Sequence, residues 1–239
     1  MKLRVLVVIP AHNEAESIEG VLNDIKSQLK DADILVVNDC STDDTAAKVR
    51  ACKGVKVLNN PFNIGYAMSI QAGIKYAKRH DYDYVIQMDA DGQHLASETH
   101  KLLEACITKN VDIVIGSRFK KKTGYKSPFF RRFGTRLFEG TVKIFTGKRI
   151  TDPLTGFQCL NKRTIDYYAE PGNYPEYPDA GLIIEMLMKK YKIIEVPVSM
   201  KQREAGVSMH SGIIQPIKYM VTQLYTCVII FIKYIGRTK

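Results

Sequence analysis

The run Tyr84-Val85-Ile86-Gln87-Met88-Asp89-Ala90-Asp91-Gly92-Gln93-His94 leads an apolar segment into two carboxylates spaced i, i+2. The pattern predicts a buried β-strand that ends in an Asp-x-Asp turn. Two carboxylates held together at a strand end repel each other unless a cation or a substrate joins them. Hard oxygen ligands at this spacing suit Mg²⁺ or Mn²⁺, and such ions commonly clamp a diphosphate. An isolated Asp-x-Asp would fit a solvated loop equally well, so the surrounding elements decide its meaning.

Those elements alternate regularly over the first 117 residues. Continuous apolar, β-branched runs predict strands at 3–9, 33–38, 55–59, 84–88 and 111–116. Between them, apolar groups at helical spacing predict helices at about 16–29, 45–52, 65–79 and 97–109, with Ser41-Thr42-Asp43-Asp44 as a capping stretch. Strand–helix alternation of this kind builds a doubly wound, mostly parallel α/β sheet, in which ligands lie beyond the carboxyl ends of the strands. Residues 10–14, Asp39, residues 63–65 and residues 89–93 all fall at such ends. The second half is less regular. It reads as a largely helical stretch at 124–146, a turn at 152–157, a helix at 180–191, a strand at 193–198 and a polar segment at 202–211.

The net charge of +10 is concentrated. Residues 118–149 hold 11 basic residues and one acid, Glu139, whereas residues 1–117 are net acidic. Aromatic residues such as Phe119, Phe129, Phe130 and Phe133 alternate with these basic groups. That mixture suits phosphates and stacked bases and equally an anionic membrane surface. Asp39, Asp89, Asp91 and Asp152 argue against a nucleic-acid groove, because they put negative charge where the backbone phosphates would lie. The five cysteines are odd in number and have no CxxC spacing, so reduced thiols in a cytosolic compartment and no zinc site are expected. No secretory leader is expected, since the chain enters an apolar strand at once and meets Pro10. Near the C-terminus the longest uncharged run has 14 residues, from 219 to 232. That is short of the ~20 residues a spanning helix needs, so an interfacial or partner-docking helix flanked by Lys218, Lys233, Arg237 and Lys239 is expected.

Seven short motifs, in order, carry a resemblance: 9–14 (Ile-Pro-Ala-His-Asn-Glu), 36–39 (Val-Val-Asn-Asp), 63–65 (Asn-Ile-Gly), 89–94 (Asp-Ala-Asp-Gly-Gln-His), 116–119 (Gly-Ser-Arg-Phe), 152–157 (Asp-Pro-Leu-Thr-Gly-Phe) and 203–208 (Arg-Glu-Ala-Gly-Val-Ser). Together they resemble the family 2 glycosyltransferases of GT-A fold, and among these the polyprenyl-phosphate sugar transferases. The resemblance covers about residues 4–210. It implies that Pro10, Ala11, Asn13 and Glu14 border the nucleotide, that Asp39 binds base or ribose, and that Gly65 permits close backbone approach. Asp89, Asp91 and Gln93 would surround Mg²⁺ or Mn²⁺ and the donor diphosphate, with Asp91 the direct ligand. Arg118 and Arg203 would face phosphates, where a planar guanidinium fork outperforms lysine. Asp152 would sit near the reacting centre.

The resemblance implies an inverting transfer from a nucleotide-sugar, with UDP-N-acetylglucosamine or UDP-glucose preferred, to polyprenyl phosphate. The site would lie at the cytoplasmic face of the membrane. A phosphomonoester with a second pKa of about 6 is largely dianionic at neutral pH and attacks without a general base. It needs cationic guidance, which Arg118, Arg131 and Arg132 would supply. Residues 1–211 would form the catalytic unit and 212–239 a membrane- or partner-associating segment, with a separate membrane-anchoring protein as one way to hold the enzyme. Asp179 and Glu185 keep a saccharide acceptor open as the alternative, since either would serve as its base.

Overall fold

The computed structural model describes residues 3–120, 129–201 and 214–235. In chain order the elements are β1 (Val5–Ala11), α1 (Ile18–Gln28), β2 (Asp33–Asn38), α2 (Thr45–Ala51), β3 (Val55–Asn59), α3 (Tyr66–Arg79), β4 (Tyr84–Gln87), α4 (Thr99–Thr108) and β5 (Ile113–Ser117). They continue with α5 (Phe129–Thr146), β6 (Gln158–Asn161), α6 (Lys162–Tyr168), α7 (Ala180–Met188), β7 (Ile193–Pro197) and α8 (Ile214–Ile235).

Seven strands form one sheet in the order β3-β2-β1-β4-β6-β5-β7. All pairings are parallel except those of β6, which runs antiparallel to both β4 and β5. The α/β, mostly parallel GT-A-like architecture is the expected one. The inserted β6 was not foreseen, and it matters for the site. Because β6 is reversed, the loop that enters it, residues 152–157, lies at the same edge as the loops that leave the parallel strands.

Period-2 alternation divides the core. Leu6, Val8, Leu35 and Val37 face a cluster built with α3, α5, α6, α7 and α8. Val5, Val7, Ile9, Ile34 and Val36 face the opposite cluster, built with α1, α2 and α4. A strand covered on both faces must be apolar throughout, which is why β1 reads as an unbroken hydrophobic run and is buried along its whole length. Helix α3 lies hard against β1: a Cβ on Gly73 would come within 2.3 Å of the Val8 side chain.

Helix α8 packs its Gln223, Cys227, Ile230 and Tyr234 face inward. Its opposite face carries Val221, Tyr225, Val228, Ile229 and Ile232, all exposed. The outward face is therefore at least as apolar as the inward one, the reverse of an ordinary surface helix. Among the described residues no helix is long and apolar enough to cross a membrane.

Candidate functional site

The loops leaving β1 and β2 are stitched together by side chains that serve backbone amides. Asn13 sits in the left-handed region (φ 56°), a conformation asparagine tolerates better than most residues. Its Oδ1 accepts from Thr42 N at 2.8 Å, while Asn13 N donates to Ser41 Oγ at 3.1 Å. Glu14 N donates to Thr45 Oγ1 at 2.8 Å, and Ala15 N to Asp43 Oδ2 at 3.1 Å. Helix α2 is thus begun by Asp43, which accepts from Thr45 N at 2.9 Å, one residue earlier than the Asp44 N-cap position. Pro10 and Ala11 are the last two residues of β1, paired with Val37 and Asn38.

Asp39 is buried, with 3% exposure. It accepts from Asn60 Nδ2 at 2.8 Å, Ile64 N at 2.9 Å and Gly65 N at 2.9 Å. Asp39, expected to bind base or ribose, staples the Asn63-Ile64-Gly65 turn. Gly65 has φ 87°, a conformation that side chains disfavour.

That turn delivers Tyr66, the first residue of α3, to the Asp-x-Asp segment. The Tyr66 hydroxyl donates to Asp89 Oδ1 at 2.7 Å. Burial, reinforced by the Asp89 charge, holds its phenol well above the usual range. His94 accepts from Asp89 N at Nδ1 (3.0 Å), which leaves the proton on Nε2, 3.6 Å from Asp89 Oδ2. The imidazole stacks on Phe157 at 4.7 Å. Asp91 Oδ1 accepts from Gln93 N at 3.0 Å across the Gly92 turn. Tyr66 and Phe157 were not singled out as site residues. Their place directly after Gly65 and at the end of the 152–157 motif was the available signal.

The other half of the site is built from β5, the entry loop of β6, and α7. Asp152 has no exposed surface. Both its oxygens are taken by Arg118, through Nε at 2.7 Å, Nη2 at 2.7 Å and the backbone N at 3.0 Å. The geometry pairs Arg118, expected to face substrate phosphates, with Asp152, expected near the reacting centre; a fully buried carboxylate requires a compensating cation. Glu195 supports the same loop, accepting from Thr151 N at 2.8 Å and Asp152 N at 3.0 Å. Gly156 fits beneath Tyr66: a Cβ there would lie 2.5 Å from the Tyr66 hydroxyl and 3.6 Å from Asp89 Oδ1.

Asp179 is the residue that precedes α7, yet its side chain makes no capping bond. It accepts instead from the Tyr219 hydroxyl of α8. Burial pushes its carboxyl up to about 6, opposed by the Tyr219 hydrogen bond, raised further by Asp89 and lowered by Arg118. Glu185, the other candidate base, is held by the Tyr167 hydroxyl at 3.0 Å and the Tyr234 hydroxyl at 2.8 Å. It ties α6, α7 and α8 together.

Arg132 lies exposed on α5. Arg203 and the side chain of Arg131 lie outside the described residues. The chain just before Arg203 is brought to the Asp-x-Asp turn by a bridge between His94 and Met200 and by Lys201 N donating to Gln93 O at 2.9 Å.

The donor set fits a hard divalent ion in one particular way. Among the described residues no three of His, Cys, Asp and Glu converge as a complete ligand set. Asp89 and Asp91 offer two carboxylates, the number that suits an Mg²⁺-like ion taking its remaining ligands from diphosphate and water. Four carboxylates (Asp89, Asp91, Asp152 and Asp179) lie at this edge, and Arg118 is paired with one of them, so added positive charge is favoured there.

Comparison with known proteins fixes the family. The sequence model for glycosyl transferase family 2 matches residues 6–167. This chain belongs to glycosyltransferase family 2. It is 33% identical to an undecaprenyl-phosphate mannosyltransferase of Micrococcus luteus over 88% of both chains. It is 27% identical to a polyprenol monophosphomannose synthase of Mycolicibacterium smegmatis over 87% of this chain and 82% of that protein. A dolichol-phosphate mannosyltransferase of Pyrococcus furiosus is 31% identical over 88% of this chain and 60% of its own length. The fold matches glucosyl-3-phosphoglycerate synthase of Mycobacterium tuberculosis, solved with Mn²⁺, UDP-glucose and phosphoglyceric acid. That match has a TM-score of 0.70 at 18% identity and covers 94% of this chain and 80% of that one. The family and fold make this chain a glycosyltransferase enzyme.

Proposed function

We propose that this glycosyltransferase moves a sugar from a nucleotide-sugar to polyprenyl phosphate, giving an inverted, β-linked product at the cytoplasmic face of a membrane. The carrying observation is that the carboxylates of the site are engaged rather than presented as bases. Asp152 is saturated by Arg118, Asp39 by the 60–65 loop, and Asp89 holds the Tyr66 hydroxyl. A saccharide hydroxyl needs a base to remove its proton, whereas a phosphate dianion does not. The relatives named for undecaprenyl, polyprenol and dolichol phosphate support the same acceptor.

In this reading the stitched loops at Asn13, Glu14 and Gly65 cradle the nucleotide, with Asp39 acting through the turn it fastens. Asp89, Asp91 and Gln93 hold Mg²⁺ or Mn²⁺, and Mn²⁺ accompanies UDP-glucose in the structural neighbour. When bound, such an ion offsets the charge that develops on the departing nucleoside diphosphate. Tyr66 and His94 fix the orientation of Asp89, and the Arg118–Asp152 pair fixes the loop that packs on Tyr66. Arg131, Arg132 and Arg203 supply the positive charge for the acceptor phosphate. Residues 212–239 and α5 rest on the membrane surface, or a separate membrane protein holds them there.

The sequence reading preferred UDP-N-acetylglucosamine or UDP-glucose. The relatives named for mannose transfer are more similar (27–33% identical) than the one named for UDP-N-acetylglucosamine (24%), so GDP-mannose joins the panel first. A second reading, a saccharide acceptor, rests on Asp179, whose raised carboxyl beside Asp89 has the character of a general base. Radiolabelled UDP- and GDP-sugars, supplied with undecaprenyl phosphate and Mn²⁺ or Mg²⁺, test both. A metal-dependent, chloroform-soluble product names the sugar and supports the lipid acceptor. Label appearing only in saccharide would replace it with the second reading.

A further inference from the structure

Tyr219 and Tyr234 both lie on α8, and both donate a hydroxyl hydrogen bond to a carboxylate of the α7 region. They end in different places. Tyr234 reaches Glu185, which also holds Tyr167 of α6 in the helical layer. Tyr219 reaches Asp179, which interacts electrostatically with Asp89, Arg118, Tyr66 and Tyr174 at the strand ends. The Tyr219 contact is reinforced by neighbours. The Tyr219 ring packs edge-on against Tyr177, with centroids 5.6 Å apart, and Gln223 Nε2, one turn further along α8, donates to the Tyr177 carbonyl at 3.3 Å. The opposite face of this stretch of α8 carries the exposed Val221, Tyr225 and Val228. One helix therefore touches Asp179 on one side and presents an apolar stripe on the other.

A carboxylate at the residue that precedes a helix ordinarily caps the helix amides. Asp179 makes no such bond, so α7 does not fix its side chain. Two like charges left to themselves would drive Asp179 away from Asp89.

We infer that Tyr219 is a positioning residue: its hydroxyl holds Asp179 beside Asp89, so the seating of α8 on α7 sets the geometry of the donor-site carboxylates. The inference rests on the reading of Asp89 as a donor-site carboxylate and goes beyond it by making the C-terminal helix a structural part of that site. In this arrangement α8 is more than an attachment element.

The test uses the full-length protein and four variants: Tyr219→Phe, Asp179→Asn, their double variant and Tyr234→Phe. Binding of UDP and of GDP is titrated in the presence of Mn²⁺, and thermal unfolding is followed for each protein. Losing a hydrogen bond to a charged group predicts a Kd for the Mn²⁺–nucleotide raised by about tenfold in Tyr219→Phe and in Asp179→Asn. Because the two residues act as one unit, the double variant is expected to bind no worse than either single one. Tyr234→Phe loses a comparable bond and is expected to lower the unfolding midpoint while leaving Kd within about twofold. A Tyr219→Phe protein that binds like the wild type and only melts earlier would overturn the inference, as would single effects that simply add. If wild type binds neither nucleotide with Mn²⁺, the donor-site reading itself fails and the inference falls with it. Nucleotide binding that is intact but indifferent to Tyr219 removes the inference alone.

Discussion

The strand ends of β1–β4 and those of β5–β7 meet at one edge but are fastened by different chemistry. On the first side, side-chain oxygens of Asn13, Asp39 and Asp43 accept from backbone amides of neighbouring loops. On the second side, charge meets charge and phenol meets carboxylate: Arg118 with Asp152, and Tyr219 with Asp179. The first arrangement resembles a preformed cradle, in which the accepting oxygens are spread over several side chains, so that losing one leaves the bonds made by the others in place. The second depends on each buried partner, because the loss of one strands the other. The difference separates residues that serve binding from residues that hold the site together.

The sharpest contrast comes from Asp91 and Arg118. Asp91→Ala is expected to lower sugar transfer by about a thousandfold, the several kcal/mol a metal-bound diphosphate contributes, with little change in urea unfolding. Arg118→Met is expected to lower unfolding stability by about 3–5 kcal/mol, since Asp152 would remain buried without its cation. If Arg118→Met unfolds like the wild type, the pair is not what fastens the second side.

Gly156→Ala probes where the two sides touch. An added methyl would press on the Tyr66 hydroxyl, and overpacking of this kind costs about 1–3 kcal/mol. Tilting Tyr66 away from Asp89 is expected to cut transfer about tenfold, measured as kcat with a saturating donor. A smaller, local effect is expected from Val228→Glu combined with Ile232→Glu on the outer face of α8. Binding to vesicles containing anionic phospholipid, read by flotation, is expected to weaken by about tenfold or more, with nucleotide binding unchanged.

The smallest effect concerns pH. The Asp179 carboxyl is raised from 3.8 to about 6 in the folded chain. Between those values the folded state binds more protons than the unfolded state, so this group's contribution to stability is greatest below pH ~4 and is lost as pH rises through ~6. Asp179→Asn should flatten that slope in thermal unfolding measured between pH 4 and 6.5.

Much of the first side was legible in the sequence because its information is local. Residues 33–38 and 55–59 form strands as expected, and the helix–strand alternation placed Asp39, Gly65, Asp89 and Asp91 at one edge. The second side was less legible because its contacts are distant in the chain. Nothing local to Gln158–Asn161 marks it as a reversed strand between β4 and β5. Nothing local to Arg118 shows that it would close on Asp152, 34 residues later. Tyr66 hides as an ordinary first residue of a helix until the fold brings Asp89 to it. The C-terminal segment was recognised as apolar and helical, but not that it would turn a phenol toward the strand ends.

The central claim is that the acceptor is a lipid phosphate and needs no protein base. It is tested most directly by offering undecaprenyl phosphate and undecaprenol side by side, with the productive donor and Mn²⁺. The account predicts a labelled lipid from the phosphate alone, at a rate that Asp179→Asn changes no more than it changes donor binding. Equal transfer to the alcohol, or to added saccharides with none to the phosphate, would contradict it.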